Sequence, residues 1–156
     1  MSSRICLILA AVFGFLAVLC GAFGAHFLSD TGYLEHKYAD MDPRQVSGTQ
    51  LTAAYKYYQD FQTGVRYHMW HALALMAVGV WKHQRESRAL SIAAWSFSVG
   101  ITLFSGALYL LVIGGPRFGG IPWGAVAPLG GTALMAGWTA VLFAAVRQPR
   151  NTRTRE

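Results

Sequence analysis

Apolar residues run through this chain in four stretches separated by short polar breaks, and that alternation predicts its elements. From Ile5 to Phe27 there are 23 residues without an acid, a lysine or an arginine. As a helix they extend about 35 Å at roughly 1.5 Å per residue, enough to cross a hydrocarbon core of roughly 30 Å. Arg88 and Arg117 enclose a second uncharged run, and Arg117 and Arg147 a third. Such runs have no charged face, so they are not helices lying on a soluble core. The remaining stretch, Tyr67 to Trp81, has only 15 uncharged residues. It spans if Arg66 and Lys82 carry their heads out to the interface, or if the helix starts near Thr63. The predicted spans cover about residues 5–28, 63–82, 89–114 and 123–146.

The longest polar interval, Ser29 to Arg66, holds five acids and four basic residues. Its first half, through Pro43, reads as a loop. Ser47-Gly48-Thr49-Gln50 has the form of a capping box, with Ser47 as cap and Gln50 reaching back. After it, Leu51, Ala54, Tyr55, Tyr58, Phe61 and Val65 fall at helical spacing while Lys56, Gln59 and Asp60 face elsewhere. Residues 29–62 are therefore expected to carry an amphipathic helix at the membrane interface. Gly114 to Pro122 is a turn-rich connection, and residues 147–156 form a basic tail expected to be disordered.

Composition turns this pattern into a class. The chain is 54% hydrophobic and 13% charged, about half the charge of an ordinary soluble domain. The expected fold class is an all-α membrane protein: an antiparallel bundle of four transmembrane helices plus the interfacial helix, in one domain over 1–156. The net charge of +6 sits at the ends of apolar runs and in the tail. It is explained by topology, with no basic domain for nucleic acid. With four spans, one side carries eight Lys/Arg (Arg4, the second loop and the tail) and the other five, mixed with acids. The positive-inside bias then puts both termini in the cytoplasm of a multi-pass cell (inner) membrane protein. Arg4 and Ala22-Phe23-Gly24-Ala25 resemble a cleavable signal, but the apolar run suits an uncleaved span better. Ala17, Gly21 and Ala25 recur every four residues, a face that admits a close neighbour helix. Cys6 and Cys20 share the first run, too far apart along it to pair.

This topology brings His26, Tyr67, His68, His71, Ser105, Tyr109, Gly130, Gly131 and Thr132 into the outer half of the membrane, at similar depth. Four readings of that layer compete. His26, His68 and His71 offer three nitrogen ligands to a metal, yet no carboxylate lies within any span to support them. His26 and His71 offer two axial ligands to a haem, with glycines to make room. The plainest reading has the same groups hydrogen-bonding between helices. The favoured reading is a small outward-facing pocket, with His26, Tyr67, His71, Ser105, Tyr109, Gly130 and Gly131 as its layer, for a lipid, a quinone-like molecule or a partner helix. No nucleophile–base constellation and no phosphate-binding loop is present, so neither an enzyme nor a cofactor is expected. The alternative is a small transporter or a redox-associated subunit, using histidine protonation or a bound metal or haem, acting as an oligomer. Partners beyond the bilayer are then another membrane protein or a second copy.

Four ordered pieces carry a resemblance. They are Gly21-Ala22-Phe23-Gly24-Ala25-His26, Tyr67 with His71-Ala72-Leu73-Ala74, Phe104-Ser105-Gly106-Ala107-Leu108-Tyr109, and Pro128-Leu129-Gly130-Gly131 with Ala136-Gly137-Trp138. Together they resemble the small membrane family catalogued as domain of unknown function 423, related to the eukaryotic transmembrane protein 256. The resemblance covers all four spans and implies the same topology. It implies no activity, because the family has none established. The first loop is longer than the family pattern, and His68 is not part of it.

Overall fold

The first apolar run winds into α1 (Ser3–Phe23), capped by Ser2, whose hydroxyl accepts the Ile5 N–H at 3.4 Å. It continues into a π turn, Gly24–Leu28. The inward face of this unit is Cys6, Ala10, Ala17, Gly24 and Leu28. The expected stripe Ala17–Gly21–Ala25 holds only at its start: Gly21 is half-buried and Ala25 is exposed. A strict four-residue repeat drifts by about 40° per step around a helix of 3.6 residues per turn, so Ala25 has rotated away while Gly24 has not. A Cβ at Gly24 would stand 2.9 Å from the Phe61 ring, which is why a small residue is needed there.

The computed structural model describes residues 1–147, so the tail from residue 148 on lies outside the described residues. After the π turn come a one-turn helix α2 (Tyr33–Lys37) and an antiparallel hairpin, β1 (Arg44–Val46) with β2 (Thr49–Leu51). The hairpin corrects the expected capping box. Ser47 and Gly48 both have positive φ, 50° and 82°, the geometry of a two-residue type I′ turn, which a helix start cannot adopt. The cap is instead Thr52, whose hydroxyl accepts the Tyr55 N–H at 3.2 Å. From there α3 (Ala53–Gln84) runs unbroken for 32 residues. The expected amphipathic helix and the second apolar stretch are thus one rod, about 48 Å long at roughly 1.5 Å per residue. Its buried face matches the expected one at Ala54 and Phe61 but also takes in Tyr57, Gly64 and His68, while Tyr55 is 49% exposed.

α4 (Arg88–Ile113) and α5 (Trp123–Val146) follow, joined by a 3-10 turn at Phe118–Gly120. Three units, Ser3–Leu28, Arg88–Ile113 and Trp123–Val146, are long and apolar enough to cross a membrane. Successive long helices are antiparallel: Gly79 of α3 faces Cys6 and Leu7, Gly64 faces Leu108 and Tyr109, and Gly100 of α4 faces Leu134. They form a row, α1 on α3, α3 on α4, and α4 on α5, the last interface being the most extensive. α5 reaches α3 through a Trp138–His71 hydrogen bond.

Two apolar clusters lie at opposite ends of the helices that form this row. One joins Leu28, Leu34, Tyr38, Tyr57 and Phe61 to the end of α4, and the other joins Cys6, Leu75, Leu90, Phe97 and Leu134. α2 belongs to the first cluster and caps α4. The Tyr38 hydroxyl donates to the Val112 carbonyl at 2.8 Å, Tyr33 donates to Ile113 at 3.4 Å, and the Lys37 ammonium donates to Ile113 as well. A helix ends with four carbonyls lacking partners and with partial negative charge, so tyrosine hydroxyls and a lysine satisfy both needs. At the other end Lys82 departs from expectation. It turns inward, 2% exposed, with Nζ donating to Glu86 at 2.9 Å and to Ser91 Oγ at 2.8 Å. A buried ammonium needs those two acceptors.

Candidate functional site

His68 and His71 lie three residues apart on α3, about 60° apart around the helix, and that angle separates them into two interfaces. Both are buried. His71 turns toward α4 and α5, with the Phe97 ring at 5.6 Å and the Tyr67 ring stacked at 5.7 Å. Its Nδ1 is 2.8 Å from the Tyr67 carbonyl, and its Nε2 is 3.2 Å from the Trp138 indole nitrogen. The carbonyl can only accept and the indole N–H can only donate. Nδ1 therefore carries the hydrogen and Nε2 the lone pair, so His71 is a neutral imidazole with both nitrogens occupied.

His68 turns the other way, toward α1 and the far half of α4. Phe13 meets it edge-on at 5.6 Å, and its Nδ1 is 3.2 Å from the Tyr109 hydroxyl. Its Nε2 is buried and has no partner among the described residues, and the same is true of Ser105 Oγ. The antiparallel register that sets Gly64 against Leu108 and Tyr109 brings His68, one turn on, level with Ser105, one turn back. Two unsatisfied polar groups thus sit at one depth between α3 and α4. Buried polar atoms of this kind are rare and ask for a water or a ligand. Tyr109, the partner of His68, also walls an apolar groove of about 450 Å³ together with Leu19, Cys20, Phe23, Phe61 and Ile113.

The layer expected from sequence is therefore brought together in part. Tyr67, His71 and Trp138 form one nest, and His68, Tyr109 and Ser105 another. His26 joins neither: its side chain is 84% exposed on the π turn, 4.0 Å from Asp30. Among the described residues no three His, Cys, Asp or Glu side chains are grouped to hold a metal, so the His26–His68–His71 arrangement does not form. The His26–His71 haem pairing fails on the same exposure and on the occupied nitrogens of His71. Gly130 and Gly131 also part. A Cβ on Gly130 would lie 2.2 Å from the Phe104 backbone nitrogen, whereas one on Gly131 would meet only the Phe104 ring at 3.8 Å. Gly130 is thus where the α4 and α5 backbones touch, and Thr132 bonds its own helix at Leu129.

Sequence reading missed Trp138 as a hydrogen-bond donor and Phe13 as the wall behind His68. Trp138 stood in a motif, but its link to His71 depends on a register between α3 and α5 that no local pattern encodes.

The profile of the family described as "Protein of unknown function (DUF423)" matches residues 20–131. The UPF0382 inner membrane protein YgdD of Escherichia coli (strain K12) is 34% identical over 151 residues, covering 96% of this chain and 95% of that protein. The UPF0382 membrane protein YwdK of Bacillus subtilis (strain 168) is 36% identical over 145 residues, covering 92% and 98%. A UPF0382 membrane protein of Haemophilus influenzae is 30% identical over 137 residues, covering 88% and 90%. No solved structure matches. With three membrane-length apolar helices, a matching profile and near full-length relatives, this chain is an integral membrane protein that belongs to the uncharacterised DUF423 (UPF0382) family.

Proposed function

We propose that the chain crosses the bilayer four times and binds, without catalysis, an apolar ligand with a carbonyl head, such as a quinone-like molecule or a lipid. α3 is the additional span, crossing over about residues 63–82, with its first turns standing outside against α2. Both termini and the α3–α4 turn are cytoplasmic, because that end carries the larger share of Lys and Arg. The ligand body lies in the apolar groove beside Tyr109, and its head reaches the His68–Ser105 level.

The observation that carries this reading is the pair of buried, unpartnered atoms His68 Nε2 and Ser105 Oγ, with His68 bonded to Tyr109, a wall of that groove. In this reading the Tyr109 hydroxyl donates to Nδ1, which leaves the His68 hydrogen on Nε2. It and the Ser105 hydroxyl then present two donors to a carbonyl oxygen. His71, whose nitrogens are both bonded, positions α3 against α5.

The test is native mass spectrometry of the protein from nanodiscs supplied with a short-chain ubiquinone, together with thermal unfolding of the same variants. Ser105→Ala removes an unsatisfied buried hydroxyl, so the bare protein keeps or gains stability. The same change lowers ligand retention roughly fivefold, the equivalent of about 1 kcal/mol for one hydrogen bond. Unchanged retention in Ser105→Ala and Tyr109→Phe would sink the proposal.

A further inference from the structure

At the helix ends opposite the hairpin, two hollows meet. One is a cavity of about 150 Å³ at the α3–α4 turn, lined by the polar Arg85, Ser87, Arg88 and Arg147 and by the apolar Trp81 and Leu90 among others. The second is an apolar groove of about 630 Å³ between α4 and α5. Ala136 and Ala140 keep its floor low, and Ile92 and Phe143, both 56% exposed, stand along it. Arg88, Ala89 and Arg147 line both, so the two hollows are continuous across two guanidinium-bearing residues.

Charge at this junction is one-sided. The carboxylate that lines the cavity, Glu86, is engaged by the inward-turned Lys82. Arg85, Arg88 and Arg147 form no salt bridge among the described residues. Arg85 donates to the Arg147 carbonyl at 3.4 Å, which ties the end of α5 to the turn. A zwitterionic headgroup would bring its own cation into a cluster with no uncommitted carboxylate among the described residues. An anionic one would not.

We infer that this junction seats an anionic phospholipid, with its phosphate among Arg85, Arg88 and Arg147 and one acyl chain in the α4–α5 groove. Cavity, charged threshold and apolar trough follow in the order of headgroup, phosphate and chain. Basic pockets between transmembrane helices on the positive side are suited to such headgroups. The site is separate from the Tyr109 groove and stands or falls without it.

The experiment uses the full chain in nanodiscs holding phosphatidylglycerol and phosphatidylcholine with identical acyl chains, read by native mass spectrometry. Wild type retains phosphatidylglycerol in preference, and added salt weakens that preference. The double variant Arg88→Gln/Arg147→Gln lowers it roughly thirtyfold, at about fivefold for each basic residue at a membrane surface. Arg147→Gln alone, at the exposed end of α5, lowers it about fivefold and guards against misfolding of the double variant. Arg4→Gln, at the same end but outside the hollows, leaves it unchanged, and Ala140→Leu reduces retention of both lipids by filling the groove. Equal retention of the two lipids by wild type, an unchanged preference in the arginine variants, or a two-chain complex that depends on the same arginines would each overturn the inference.

Discussion

Two histidines three residues apart look interchangeable in a sequence, and in the fold they have different jobs. His71 has a carbonyl on one nitrogen and an indole N–H on the other, while His68 has a tyrosine on one and, among the described residues, nothing on the other. Their place at the start of an apolar stretch was legible, but their burial was not, since Trp70 and Leu73 of the same stretch are 56% and 55% exposed. Nor was it legible which one is satisfied, because their partners come from residues 13, 109 and 138, set by helix packing and not by spacing. Tyr38 was equally illegible. It read as a loop residue, yet it is 5% exposed, stacked on Tyr57 at 4.2 Å and bonded to the end of α4. Burial, with Tyr57 and Tyr33 nearby, pushes its phenol pKa upward. A raised folded pKa means its contribution is fully present below the unfolded value of about 10 and is lost as pH climbs toward the folded one. Tyr38→Phe is expected to cost about 1 kcal/mol at neutral pH and to flatten the alkaline loss of stability. Thermal midpoints of both proteins from pH 7 to pH 11 check this, and parallel curves would contradict it.

Elements were better forecast than their joints. α5 covers Trp123–Val146 as its apolar run predicted, and the helices expected over 5–28 and 89–114 formed within two residues of expectation. The error lay between the first two spans, where Ser-Gly fitted both a capping box and a type I′ turn. Backbone conformation decided for the turn, moving the helix start to Ala53 and fusing two expected helices into α3. Tightness between elements was only half legible: two adjacent glycines suggested close packing without saying which one made it. Gly130→Ala drives a methyl into the Phe104 backbone, which cannot swing aside as a side chain would. It is expected to destabilise the protein by about 1–3 kcal/mol. Gly131→Ala meets an ordinary contact and gains helix propensity, so it is neutral or stabilising by up to about 1 kcal/mol. Thermal unfolding of the two variants in one detergent decides it, and equal losses would refute the backbone contact.

At the scale of the whole molecule, α3 is the member on which both proposed sites depend. In the proposed topology it crosses with only 15 uncharged residues, with Lys82 folded inward onto Glu86 and Ser91 and its first turns packed against α2. In that proposed topology the Tyr109 groove opens in the outer half and the arginine junction in the inner half. The direct measurement is the sidedness of α3. In a Cys6→Ala/Cys20→Ala background, single cysteines at Ser47, in the hairpin turn, and at Gln84, at the end of α3, are exposed to a membrane-impermeant maleimide in sealed right-side-out vesicles. The account predicts that Ser47→Cys is labelled at once and Gln84→Cys only after the vesicles are opened. Labelling of both from the same side would mean that α3 does not cross.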